Sequence, residues 1–209
     1  MTAASASAVC VLGGGLMGLA VAHQLARLNQ KVLVISRRRS EAAGFVAAGM
    51  LAPHAEGLSG ELLRLGQISQ ALVPRWVAQI EADSELSCGL HSTGIVVPFR
   101  STTDRDAYPT AKYGKPLDRG QLMQELPGIG TEWVAGLLFP QDGQIDNRRQ
   151  LMRALERACV DRGVQFQEGV EVLDLLTDNA CLSGVRTRDS EGMESILRST
   201  KAILCSGAW

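Results

Sequence analysis

A glycine-rich turn near the N-terminus constrains the fold of this chain more than any other feature. The apolar run Val9–Leu12 leads into Gly13, Gly15 and Gly18, spaced as G-x-G-x-x-G, and a helix-like segment, 19–28, follows. In such a turn the first glycine permits the tight turn, the second lets the backbone approach a pyrophosphate, and the third lets the helix pack closely. The helix N-terminus then offers free N–H groups to phosphates. The pattern predicts a dinucleotide-binding turn.

The segment after the helix supplies the context that this motif requires. Residues 31–35 have the apolar, β-branched character of a second strand, which completes a β-α-β unit. A glycine turn without a ligand is the alternative interpretation, and the β-α-β context disfavours it.

Composition restricts the classes of protein and partner. The chain has 209 residues, of which 45% are apolar and 21% charged, with a formal net charge of −1. This balance gives no electrostatic reason to expect nucleic acid or an anionic membrane as a partner. The apolar run after the first eight residues is too short for a signal peptide or a membrane span, so we expect a cytoplasmic location. The five scattered cysteines and three distant histidines predict no disulfide framework and no metal site.

The rest of the chain alternates helical and strand patterns. Residues 61–81 have helical apolar spacing, and Pro74 is expected to kink or divide that helix. A short helix is predicted over 117–126, and another begins at the cap Asp146-Asn147 and ends at Gly163. Strands are predicted over residues 94–99, 133–139, 164–167, 170–176, 181–187 and 202–205.

Three separated segments together resemble the FAD-dependent D-amino-acid oxidase superfamily. They are residues 11–18 (VLGGGLMG), 47–56 (AAGMLAPHAE) and 203–209 (ILCSGAW). The second segment looks most like the glycine oxidase of thiamine biosynthesis, and residues 138–146 also fit that subfamily. The similarity covers nearly all of this chain but only the N-terminal part of such an enzyme.

The resemblance implies an α/β fold: a Rossmann-like FAD-binding domain with part of an α+β substrate domain, apparently truncated. It implies a first part of the FAD-binding domain over 1–80, a partial substrate domain over 81–145, and a return to the FAD-binding domain over 146–209.

The family's cofactor-binding positions can be carried over to this sequence one by one. Leu16 and Met17 would place backbone N–H groups at the FAD pyrophosphate, and Val172 would contact the adenine side through its backbone. The other positions implied to bind FAD are Gly13, Gly15, Gly18, Ser36, Arg37, Ala43, Gly44, Ala48, Gly49, Met50 and Gly207. Met50 would also lie near the substrate pocket.

Ser36 departs from the family pattern. The family usually has an acidic residue here, which binds the adenosine ribose, and a serine offers a weaker hydrogen bond than a carboxylate. Arg37, Arg38 and Arg39 follow directly. A small polar residue with arginines is also how an NADP site accommodates a 2′-phosphate. The interpretations are therefore FAD with a weakened ribose contact, NADP, or a solvated basic turn.

The resemblance implies oxidation of glycine or another small amine. In the family a hydride passes from the substrate α-carbon to the flavin, the imine is hydrolysed, and oxygen is reduced to hydrogen peroxide. The family's carboxylate-binding arginine lies beyond the equivalent of residue 209, and neither Arg100 nor the Arg148-Arg149 pair matches it. We therefore assign no catalytic residue. Two alternative functions stay open: an NADP-dependent reductase, and a fragment without activity of its own. Whether the chain forms a homo-oligomer also stays open.

Overall fold

The computed structural model describes residues 8–145 and 147–207, which form two compact units. Unit 1 contains residues 8–47, 79–88 and 148–207, and unit 2 contains residues 48–78 and 89–147 apart from residue 146. The α-helices of the described residues are α1 (Leu16–Arg27), α2 (Gly60–Ser84), α3 (Thr102–Asp106), α4 (Arg119–Glu125) and α5 (Arg148–Asp161). None of these helices is long and apolar enough to cross a membrane.

The strands are short and fall into four sheets. They are β1 (Val9–Leu12), β2 (Val32–Ser36), β3 (Met50–Leu51), β4 (Leu90–His91), β5 (Ile95–Phe99), β6 (Lys115–Leu117), β7 (Ala135–Phe139), β8 (Gly143–Ile145), β9 (Gln165–Glu168), β10 (Glu171–Asp178), β11 (Cys181–Arg188), β12 (Glu194–Arg198) and β13 (Ala202–Leu204). Single 3-10 turns lie at Arg39–Glu41, Ala43–Phe45 and Ala111–Tyr113.

Unit 1 is built on a parallel sheet with the strand order β13-β1-β2-β9. Val11 and Val34, on the two central strands, are completely buried, as expected for a parallel sheet that is covered on both faces. Helix α1 connects β1 to the parallel strand β2, so the predicted β-α-β unit is present. A second, antiparallel sheet of order β10-β11-β12 packs its buried Val185 against residues of β1 and β2.

Unit 2 contains two small antiparallel sheets, of order β3-β8-β4 and β5-β7-β6. Its apolar core includes Phe99, Leu137 and Phe139, with Tyr108 packed against them. The Tyr108 ring meets the Phe99 ring edge-on, with centroids 5.2 Å apart. Such edge-to-face pairs stabilise a core beyond the area that they bury.

The mixed α/β class predicted from the sequence is confirmed, but several local predictions differ from the structure. Pro74 does not divide α2, which runs as one helix from Gly60 to Ser84. A proline inside a helix removes one backbone hydrogen bond, a cost that tertiary packing can offset; downstream of it, Val77 and Ile80 are buried. Strand β12 was not predicted. The predicted cap at Asp146 lies outside the described residues.

Candidate cofactor-binding site

The glycine turn of unit 1 has the geometry that its spacing predicts. Gly13 has φ = +122°, and a Cβ there would overlap with the carbonyl oxygen of Cys205. A Cβ on Gly18 would overlap with the carbonyl oxygen of Gly13. Gly15 differs from both, since a Cβ there would lie 3.6 Å from the Cβ of Ala42, an ordinary contact. Gly13 and Gly18 are thus required by packing, whereas Gly15 keeps open space at the turn.

The N-terminus of α1 is free to receive an anion. Gly15 is its N-cap in an extended conformation, no side chain caps the helix, and the first turn contains no acidic residue. Leu16 and Met17 begin the helix, and the Met17 side chain is exposed. Uncapped N–H groups and the positive end of the helix dipole favour a phosphate here. The residues present therefore fit a dinucleotide pyrophosphate.

Other predicted positions of unit 1 lie around the same sheet. Ser36 is the last residue of β2 and is buried. Gly207 follows β13 with φ = +79°, and the N–H of Cys205 donates to the carbonyl of Leu12 at the end of β1. Val172, in β10, packs partly buried against the core cluster of β1 and β2. The ends of β1, β2 and β13 therefore lie at one edge of the sheet, where ligands bind in open parallel sheets.

Ala43 and Gly44 lie in a 3-10 turn of unit 1, against helix α5. A Cβ on Gly44 would lie only 2.6 Å from the Sδ of Met152. The glycine is thus explained by packing against α5, and its predicted place along the cofactor stays a prediction.

The three arginines that follow Ser36 all contact carboxylates. The pairs and their N–O distances are Arg37–Glu171 at 3.6 Å, Arg38–Glu41 at 2.8 Å and Arg39–Glu168 at 2.6 Å. Arg37 and Arg38 are largely exposed. The positive charge that the sequence concentrates at this turn is therefore balanced within unit 1.

The predicted flavin-end segment, Ala48 to Met50, lies in unit 2. Gly49 has φ = +88°, and a Cβ there would overlap with the carbonyl oxygen of Ile145. The carbonyl of Gly49 also accepts from the N–H of Ile145 at 2.8 Å. Met50 pairs with Gln144 in the small sheet and is half exposed. The backbone at Gly49 is thus fixed by a contact that only glycine allows.

Behind this strand lies a buried polar network that sequence reasoning missed. The Nδ1–H of His54 donates to Oδ1 of Asp142 at 2.7 Å, and both side chains are buried. Asp142 also accepts from the N–H of Ala55 at 2.7 Å and from the Gln70 amide at 3.0 Å. The Gln70 amide further donates to the carbonyl of Leu51 at 3.2 Å. These bonds hold residues 51–55 in place, directly after Met50.

A second buried polar cluster lies in unit 1. Asp83 accepts hydrogen bonds from His23, Arg27 and Arg162. The Arg162 hydrogen bond, with those from His23 and Arg27, holds the pKa of Asp83 down at about 2, and burial lowers the pKa of His23. These hydrogen bonds join α1, the end of α2 and the segment after α5 within unit 1, and the buried Nδ1 of His23 is left without a hydrogen-bond partner among the described residues.

Two buried thiols of unit 1, those of Cys88 and Cys159, are not poised for nucleophilic chemistry. Burial raises the pKa of Cys88 and of Cys159 to about 12, which keeps both protonated. Among residues 8–145 and 147–207, no group of histidine, cysteine and acidic side chains is arranged to hold a metal ion.

The parallel sheet, the glycine turn and the uncapped helix together define unit 1 as a dinucleotide-binding α/β fold of the Rossmann-like class. A family model described as FAD dependent oxidoreductase matches residues 8–209. The chain therefore belongs to the FAD-dependent oxidoreductase family of the D-amino-acid oxidases, as its resemblance implied.

Individual relatives agree with this assignment. A bifunctional protein ThiO/ThiG of Synechocystis is 34% identical over 207 residues, covering 97% of this chain and 30% of that protein. A glycine oxidase of Geobacillus kaustophilus is 27% identical, covering 96% of this chain and 54% of the enzyme. The crystal structure of glycine oxidase from Geobacillus kaustophilus superposes with a TM-score of 0.83 at 24% identity, over 96% of this chain and 55% of that one. The chain thus spans between 30% and 55% of the length of these relatives.

Proposed function

We propose that this chain binds FAD and forms the cofactor-binding part of an oxidase acting on glycine or another small primary or secondary amine. When bound, FAD would supply the redox chemistry of the family: uptake of a hydride from the α-carbon of the amine, to leave an imine that water hydrolyses to an oxoacid, and transfer of the electrons to oxygen as hydrogen peroxide. The single observation that carries the proposal is the uncapped N-terminus of α1 behind the Gly13–Gly18 turn.

The residues of the chain would bind and orient the cofactor rather than move protons. The N–H groups of Leu16 and Met17 would donate to the pyrophosphate, because they begin an uncapped helix. In unit 2, the hydrogen bonds around Asp142 would hold the strand at Met50 rigid, as a positioned flavin contact requires. We propose no catalytic side chain within this chain.

We propose a role in thiamine (thiazole) biosynthesis, as the resemblance implies, and the names of the relatives support it. The Synechocystis relative is a ThiO/ThiG protein, and several other relatives are glycine oxidases. Since this chain spans about half of the glycine oxidases, we propose that substrate oxidation also needs polypeptide equivalent to their remaining half. The three carboxylate-bound arginines disfavour the NADP-reductase alternative, because their charge is already balanced.

A pair of glycine variants tests the FAD proposal. Gly15→Ala adds a methyl group that the fold accommodates but that stands where the pyrophosphate would approach. We expect the variant to keep the melting temperature of the wild type and to lose at least tenfold in FAD affinity, measured by flavin fluorescence titration. The matched variant Gly18→Ala, which clashes with the Gly13 carbonyl, should lower both stability and affinity.

The outcomes separate the two parts of the proposal. A purified wild-type chain that is colourless and binds no added FAD would overturn the cofactor assignment, and tight binding of NADPH instead would favour a reductase. Glycine-dependent release of peroxide by the 209-residue chain alone would overturn the need for further polypeptide.

A further inference from the structure

We propose that Glu168 supplies the carboxylate for the adenosine ribose that Ser36 does not provide; this inference rests on the proposed binding of FAD. Ser36 is the last residue of β2, and Glu168 is the last residue of the neighbouring parallel strand β9. The two are register partners. Partners on adjacent parallel strands lie about 4.8 Å apart, with side chains on the same face of the sheet. A carboxylate therefore stands one strand away from the position where the family carries its acidic residue.

The side of the sheet that these residues face is the side of the glycine turn. The Cβ of Ser36 lies 3.0 Å from the position that a Cβ on Gly14 would take. The Cγ and Cδ of Arg39 lie 2.5 and 2.6 Å from that same position. The Nε of Arg39 then donates to Glu168 at 2.6 Å. Gly14, Ser36, Arg39 and Glu168 thus adjoin one place at the carboxyl edge of the sheet.

The Glu168 carboxylate is fixed in orientation. The backbone N–H of Arg39 donates to Oε1 at 3.0 Å, and its Nε donates to Oε2. Arg39 itself is held by Glu156 at 2.9 Å, and its guanidinium lies over the ring of Phe166, 4.7 Å from the centroid. A carboxylate held at both oxygens by a well-packed arginine is preorganised for a ligand.

Glu168 also has the capacity to accept more hydrogen bonds. An ionised carboxylate offers about four lone-pair sites, and the bonds from Arg39 use one on each oxygen. The side chain is 47% exposed, so a ligand can reach it. The remaining lone pairs can accept from the 2′ and 3′ hydroxyls of a ribose.

The same arrangement distinguishes between dinucleotides. A carboxylate accepts from a ribose diol but repels a 2′-phosphate, and Arg39 is already bound by two carboxylates. The edge of the sheet thus selects FAD over NADP, although the local sequence, a serine followed by arginines, is what an NADP site can also show.

Binding of two flavins measures the contact directly. The Glu168→Gln variant should bind FAD about tenfold more weakly than the wild type, because a charged hydrogen bond to the ribose is lost. Its affinity for FMN, which has no adenosine, should stay within twofold. The matched control is Glu194→Gln, which removes a carboxylate of similar exposure that pairs with Arg186 in the antiparallel sheet of unit 1, and which should change neither affinity by more than twofold. Adding Ser36→Glu to the E168Q variant should restore the affinity for FAD.

The result that overturns the inference differs from the one that overturns FAD binding. If the wild type binds FAD and E168Q binds it equally well, or loses FMN to the same extent, Glu168 is not the ribose contact. If the wild type binds no FAD, both proposals fail. If E168Q is unfolded, as judged by circular dichroism, the single variant S36E decides whether Glu168 binds the ribose. Its affinity for FAD should rise by less than about twofold if Glu168 already binds the ribose, whereas a tenfold rise would mean that the position was empty.

Discussion

The buried carboxylate of Asp83 should make the stability of unit 1 depend on acid pH. Asp83 accepts from His23 Nε2 at 2.8 Å, from Arg27 Nη1 at 3.0 Å, and from Arg162 Nε at 3.0 Å and Nη2 at 2.6 Å. Its side chain is 9% exposed. One carboxylate thereby joins α1, the end of α2 and the segment after α5, so its loss should lower the stability of unit 1.

The magnitude follows from the shift in pKa. The pKa of Asp83 falls from an ordinary 3.8 to about 2 in the folded chain. At about 1.4 kcal/mol per unit, the ionised carboxylate stabilises the fold by about 2 kcal/mol. Because the folded pKa is the lower one, this stabilisation is complete above pH 4 or so and is lost as the pH falls through about 2. The Asp83→Asn variant lacks it at every pH.

Urea unfolding, followed by circular dichroism between pH 7 and pH 2, tests this reasoning. We expect the variant to be less stable than the wild type by about 2 kcal/mol at pH 7, with the difference shrinking below pH 4. The matched control is Asp161→Asn, which breaks an exposed pair with Arg157 and should cost under about 0.5 kcal/mol. A difference between wild type and D83N that is as large at pH 2 as at pH 7 would refute the argument.

Two further predictions follow from burial and exposure in unit 2. Asp142→Asn should destabilise the fold by about 3 kcal/mol in thermal or urea unfolding, because Asp142 is completely buried and three donors lose their shared carboxylate. The control is Asp106→Asn, which changes an exposed ion pair. If both variants lost the same free energy of unfolding, the prediction would be contradicted. Replacing Leu65 and Leu72 by Gln should leave the melting temperature within about 2 °C and reduce aggregation by light scattering, since both side chains are about 60% exposed; a clear drop in melting temperature would show that they are buried in solution.

The elements that the sequence predicts best are those whose signal is local. The strand, turn and helix at residues 9–27 follow from an apolar run and from glycine spacing, because both signals lie within one short segment of the chain. Strand β12 has no such signal, since its residues are mostly polar and exposed, and it is a strand only because β11 pairs with it. Pairing between strands can decide the conformation of a segment that its own residues leave open.

The net charge at the carboxyl ends of the parallel strands in unit 1 likewise cannot be predicted from the sequence alone. In the sequence, a serine followed by three arginines indicates a basic turn, which leaves NADP as an alternative cofactor. In the fold, Arg39 meets Glu168 129 positions away along the chain, and Arg37 meets Glu171 on β10. The carboxylates arrive through strand order, which the sequence does not state. Whether such a turn attracts phosphate therefore depends on the charges of the neighbouring strands. Here β9 and β10 place the carboxylates of Glu168 and Glu171 beside the arginines, at the position where we propose that the ribose binds.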